Sequence, residues 1–152
     1  MKDKHIRAHM KSAFNYAECS TAKKLKVGCV IVKDDRIISI GYNGMPSGWT
    51  NECETYSFFA EDGRQLPQRI LITKPEVLHA EENAITKLAK SSESGEGASV
   101  FITHTPCLSC SKLLHGAGIV EVYYANSYRY KDGLEFLQKC GITVAKIQQD
   151  SS

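Results

Sequence analysis

Ala98-Ser99-Val100-Phe101-Ile102-Thr103-His104-Thr105-Pro106-Cys107-Leu108-Ser109-Cys110 is the stretch that decides the fold. Ala98 to Thr103 is a short apolar, β-branched run, the pattern of a buried strand. Pro106 suits the first position of a helix, where its missing N–H costs nothing. That helix is expected to end near Gly116. Ile119 to Ala125 reads as the next strand, Asp132 to Cys140 as a helix closed by Gly141, and Ile142 to Ile147 as a final strand. Strands joined through a helix run parallel, so the chain ends as an α/β sheet with its last two strands parallel.

Upstream, Ala80, Ala84, Ile85, Leu88 and Ala89 form an apolar helical stripe. Glu81 and Glu82 sit near its start and Lys87 and Lys90 near its end, which suits the helix dipole. Ile6, Met10, Ala13, Phe14 and Ala17 mark an amphipathic helix over residues 5–20. Val27 to Lys33 and Arg36 to Tyr42 read as a hairpin turning at Asp34-Asp35. From Asn43 to about Leu78 come Gly44, Pro46, Gly48, Gly63, Pro67 and Pro75. A connection this long suggests a lid or substrate-facing insertion with at most short structure. The expected order is α-β-β-α-β-α-β-α-β, in a single domain over residues 1–152 without internal repeats.

The 152 residues suffice for one domain with a real core. The composition, 42% hydrophobic and 24% charged, is that of an ordinary globule. A net charge of +2 is too small to advertise a nucleic-acid surface, and neither a nucleic-acid nor a membrane partner is expected. No apolar run reaches the roughly 18 residues of a membrane helix. Met1 to His5 lacks the apolar core of a signal peptide, and six cysteines in such a chain point to reduced thiols and a metal. A cytoplasmic location is expected, the host's if the chain is phage-encoded.

His79, Cys107 and Cys110 are a ligand set for one Zn²⁺ that leaves a fourth position for water, as a hydrolytic site requires. Cys107 and Cys110 share one helix face in its first turn, where free N–H groups favour thiolate. Residues two apart in a helix point to opposite sides. His79 and Glu81 can therefore share a site only if His79 stands at the helix edge, outside helical geometry. Two thiolates and a neutral imidazole cancel the ion's charge, which weakens its acidifying effect on water and makes a nearby base valuable. Glu81 is that base: it can take the water's proton, pass it to a ring nitrogen and protonate a leaving amine. The spacing H-x-E with P-C-x-x-C is that of nucleobase deaminases, and the implied reaction is hydrolytic deamination of an aminated heterocycle.

Other candidates read more plainly. Cys29 and Cys140 suit packing. Cys19 and Cys53 lack convincing partners for a second zinc. His5, His9 and His115 fall on helices as surface or core residues. His104 ends a strand and could approach the site, and Trp49 could stack on a base or seal the lid.

On these motifs the chain resembles the cytidine deaminase superfamily and, within it, the deoxycytidylate (dCMP) deaminases. The resemblance rests on Val27-Gly28, on Gly41-Tyr42-Asn43-Gly44-Met45-Pro46-Ser47-Gly48, on His79-Ala80-Glu81-Glu82-Asn83-Ala84-Ile85 and on Thr105-Pro106-Cys107-Leu108-Ser109-Cys110. It implies a three-layer α/β/α sandwich around a five-stranded mixed sheet and one catalytic Zn²⁺ per subunit. The implied reaction is dCMP to dUMP and ammonia, which supplies dUMP for dTMP synthesis. It further implies substrate contacts at Asn43, Ala80 and Thr105, and a homohexamer activated by dCTP and inhibited by dTTP. An effector triphosphate, with Mg²⁺, would lie near Tyr42, Gly44, Ser47, Lys87 and Lys90. Some relatives carry a cysteine where Ala22 stands, as part of a second zinc site, and its absence argues against that site. Residues between Trp49 and Leu78 match no family pattern. The competing readings are a tRNA adenosine deaminase-like enzyme, which would call for a strongly basic face, and a non-catalytic zinc module, which would have lost Glu81.

Overall fold

A computed structural model describes residues 1–149; the last three residues of the expected domain lie outside them. The elements are α1 (Asp3–Ala17), β1 (Gly28–Lys33), β2 (Arg36–Tyr42), β3 (Glu54–Phe59), β4 (Gln65–Thr73), α2 (Ala80–Ala89), β5 (Ser99–His104), α3 (Leu108–Gly116), β6 (Glu121–Asn126), α4 (Asp132–Lys139) and β7 (Thr143–Lys146). Five strands form one sheet in the order β2-β1-β5-β6-β7. β1 is antiparallel to β2 and β5, while β5, β6 and β7 run parallel. This is the expected mixed sheet.

Alternation along β1 and β5 sorts the core into two layers. Val30, Val32 and Phe101 pack with Met10 and Ala13 of α1. Cys29, Ile31, Val100 and Ile102 face the other way, against Ala80, Ala84 and Leu88 of α2, Leu114 of α3 and Leu137 of α4. The result is the α/β/α sandwich, with one helix on one face and three on the other. Asp34 and Asp35 both take positive φ, 52° and 59°, the geometry of a tight hairpin turn whose twist matches its strands.

Two glycines set how closely the helices lie on the sheet. A Cβ on Gly28 would fall 1.9 Å from the Ala13 carbonyl oxygen, and one on Gly41 would fall 2.2 Å from that of Ala80. Only glycine lets α1 and α2 rest at this depth.

The insertion is more ordered than expected. β3 and β4 form a separate antiparallel hairpin. Pro67 and Gly63 hide it from the sequence pattern. β4 absorbs its proline in a bulge, where a two-residue step on β3 (Ser57 to Phe59) faces a five-residue step on β4 (Ile70 to Gln65). Tyr56, Phe58, Phe59 and Ile70 are exposed, so no buried face imposes alternation. The base is tied down, since Lys74 N–H donates to the Cys53 carbonyl at 2.8 Å and Lys23 N–H to the Glu54 carboxylate at 2.7 Å.

Pro106 also differs from expectation. α3 starts at Leu108, with Cys107 as its N-cap in extended conformation (φ −71°, ψ 170°). The Cys107 sulfur accepts the Cys110 N–H at 3.4 Å, so the thiol group itself caps the helix and moves its start past the proline.

Candidate active site

Two helix N-termini meet at the C-terminal end of β5. His79 is the N-cap of α2, with extended backbone (φ −75°, ψ 157°), which is the helix-edge placement that pairing with Glu81 requires. Its N–H donates to Glu82 Oε1 at 2.9 Å. The residue before it, Leu78, exchanges both backbone hydrogen bonds with Gly44, at 2.8 and 3.1 Å. Asn83 Nδ2 donates to the Tyr42 carbonyl at 2.8 Å. The start of α2 is thus clamped to the strand end and loop that follow β2.

His79 Nδ1 lies 3.6 Å from Cys107 Sγ and 3.3 Å from Cys110 Sγ. Tetrahedral zinc with ordinary Zn–S and Zn–N lengths would separate such atoms by about 3.5 Å, so the three side chains fit the ion. Among the described residues this is the one grouping of three or more His, Cys, Asp or Glu ligand atoms within 4.8 Å of one another. Hydrogen bonds from Cys110 and His79 pull the Cys107 thiol down to about 4, so it is a thiolate at neutral pH. The same thiolate raises His79 to about 9. Cys110 is pushed well up, chiefly by its bond to Cys107 and by burial.

Glu81 is 3% exposed, and burial lifts its carboxyl to about 7. A carboxyl poised there can both accept and return a proton near neutral pH. It faces a cleft that opens to solvent at its mouth. The lining includes His79, Ala80, Glu81, His104, Thr105 and Cys107, with Asn43, Lys24, Glu54, Thr73 and Tyr128 around them.

Of the expected substrate contacts, Asn43, Ala80 and Thr105 all line this cleft. The Asn43 amide is also partly committed: Oδ1 accepts the Val27 N–H and Nδ2 donates to the Leu25 carbonyl, both at 2.8 Å. Thr105 Oγ1 accepts the Tyr128 N–H at 2.8 Å. The residues expected near an effector lie elsewhere. Tyr42, Gly44, Ser47, Lys87 and Lys90 do not line the cleft. Lys87 Nζ donates to the Ile40 carbonyl at 3.0 Å and lies 5.9 Å from the centre of the Tyr42 ring. Cys53 is buried beside Thr21 and Ala22, Cys19 is exposed, and Cys29 is core. Trp49 is exposed and not among the cleft residues. Lys24, Tyr128, Glu54 and Thr73 escaped sequence reasoning because loop and hairpin geometry, not motif spacing, brings them to the cleft.

A strand end, two helix N-termini and a His-Cys-Cys set with a buried carboxylate define a zinc-dependent hydrolytic deaminase site. The chain belongs to the family described as the cytidine and deoxycytidylate deaminase zinc-binding region, whose model matches residues 3–126. It is similar in structure to the dCMP deaminase of cyanophage S-TIM5, solved in complex with dCMP and dUMP. The TM-score is 0.84 and the identity 45%, over 97% of this chain and 99% of that one. It is 34% identical to the deoxycytidylate deaminase of phage T4, over 80% of this chain and 79% of the relative. It is 37% identical to that of Saccharomyces cerevisiae, over 91% of this chain but only 43% of the longer yeast protein.

Proposed function

We propose that this protein deaminates dCMP to dUMP. The observation that carries the reading is the buried Glu81 carboxyl beside the three converged side chains His79, Cys107 and Cys110, with Glu81, His79 and Cys107 lining one cleft. Similarity along nearly the whole chain to the cyanophage dCMP deaminase supports the choice of substrate.

His79, Cys107 and Cys110 would hold Zn²⁺, which when bound supplies a Lewis acid for water. Glu81 takes a proton from the attacking water and delivers it to the ring nitrogen beside the amine-bearing carbon, while the hydroxide adds to that carbon. Glu81 then takes the proton of the added hydroxyl and passes it to the amine; the C–N bond breaks, ammonia leaves, and the oxygen stays on the ring as a carbonyl. Burial keeps bulk water from competing for the Glu81 proton.

The finer reading follows from the same resemblance: dUMP supply for dTMP synthesis in the cytoplasm, a homohexamer, activation by dCTP with Mg²⁺ and inhibition by dTTP. The effector would sit outside the cleft, near Lys87 in the last turn of α2 and Lys90 at its C-cap. Turnover of dCMP, CMP and deoxycytidine by the zinc-loaded protein, with and without dCTP, tests this. Preferential release of ammonia from dCMP is expected. Turnover of none of the three would overturn it.

A further inference from the structure

His104 is the last residue of β5 and alternates with Val100 and Ile102, so it lies on the sheet face that carries α2 and α3. It lines the cleft with His79, Glu81 and Cys107. Its Nδ1 is 2.8 Å from the Thr103 hydroxyl, and that hydroxyl oxygen already accepts the Gly28 N–H at 3.2 Å.

This small network determines where the imidazole proton sits. A neutral imidazole has one donor and one acceptor nitrogen, and partial burial favours the neutral ring here. Thr103 is 0% exposed. Among the described residues, His104 Nδ1 is the one acceptor within reach of its hydroxyl proton. Were Nδ1 protonated, that hydroxyl proton would be buried without an acceptor, which is costly. Thr103 therefore donates to Nδ1, and the ring hydrogen belongs on Nε2. Nε2 has no protein partner among the described residues, and the ring borders the cleft.

The geometry points to His104 as a substrate-binding residue whose Nε2–H, held in that tautomer by Thr103, donates to an oxygen of the bound nucleotide outside the reacting amidine. This deepens the dCMP reading and rests on it. Thr103 is a positioning residue. Glu81 and the zinc ligands govern the chemical step, and His104 governs how the nucleotide is held. The acceptor is an oxygen of the phosphate or of the sugar and ring carbonyl, and two substrates separate these sources.

The first measurement needs no variant and no substrate. Long-range ¹⁵N–¹H correlation on the histidine-labelled, zinc-loaded protein should show His104 protonated at Nε2 and bare at Nδ1; the opposite tautomer overturns the assignment. The second is kinetic, on variants of confirmed zinc content. His104→Phe should raise KM for dCMP roughly tenfold, the worth of one lost hydrogen bond, with kcat nearly unchanged. His104→Gln, whose amide places a donor near the Nε2 position, should recover most of the loss. A KM defect with dCMP alone places the acceptor on the phosphate, and an equal defect with deoxycytidine places it on the sugar or ring. An unchanged KM in His104→Phe, or a His104→Gln variant as impaired as the phenylalanine, overturns the proposal. Absence of dCMP turnover by the unmodified protein would instead strike the parent reading, which the tautomer measurement does not depend on.

Discussion

Gly44 and Leu78 exchange both of their backbone hydrogen bonds, at 2.8 and 3.1 Å, immediately before His79. This bridge spans the whole insertion and lets a loop following β2 dictate where His79 stands. A Cβ at Gly44 meets nothing within 4 Å, so what matters there is the N–H. Gly44→Ala should keep normal zinc content. Gly44→Pro removes the donor and should weaken zinc retention about tenfold, the usual cost of losing an outer support. Zinc competition against a colorimetric chelator reads the difference.

Gly41 is the opposite case. Its Cβ would lie 2.2 Å from the Ala80 carbonyl oxygen and 2.6 Å from the Ala84 nitrogen. Both are backbone atoms of α2 and cannot swing aside. Gly41→Ala should cost about 1–3 kcal/mol of stability and lift α2 from the sheet, carrying His79 with it. Denaturant unfolding, paired with zinc analysis, checks both consequences.

Metal uptake should release protons. At pH 7 the metal-free site holds His79 protonated, with its pKa near 9, and Cys110 protonated, while Cys107, near 4, is already a thiolate. Ligands bind deprotonated. One proton from His79 and one from Cys110 make two released per Zn²⁺ bound, and apparent zinc affinity should rise with pH. Titration calorimetry in buffers of different ionisation enthalpy counts them. Release of none would contradict these protonation states.

Glu81 should weaken the metal-free fold as pH rises. Its carboxyl moves from an ordinary 4.5 to about 7 in the folded protein. A raised pKa stabilises fully below the unfolded value, and that stability is lost as pH climbs through the folded one. Metal-free Glu81→Gln should therefore match the unmodified protein near pH 4 and exceed it at pH 8 by up to about 3 kcal/mol. Unfolding curves at the two pH values decide it.

The convergence of His79, Cys107 and Cys110 was legible in the sequence because it follows short-range rules. Cys107 and Cys110 are one helical turn apart, and the spacing of His79 and Glu81 already demanded the N-cap geometry that the structure shows. Strands β1, β2 and β5 to β7 were legible because buried runs alternate with turn residues. The hairpin of β3 and β4 was not, since Tyr56, Phe58 and Phe59 are exposed and Pro67 interrupts β4. Asn43 shows another limit. The family resemblance implies a substrate contact for it, but nothing in the sequence shows its amide bound to Val27 and Leu25. The role drawn here for His104 rests on Thr103 and Gly28, residues whose contact exists only once β1 and β5 pair.

The most direct test of the central claim compares ammonia release from dCMP by the zinc-loaded protein and by its Glu81→Gln variant at equal zinc content. A buried carboxyl that relays every proton predicts steady release by the first and a fall of at least about a hundredfold in the second, within the usual worth of a positioned acid–base. Equal rates in the two, with zinc retained in both, would contradict it.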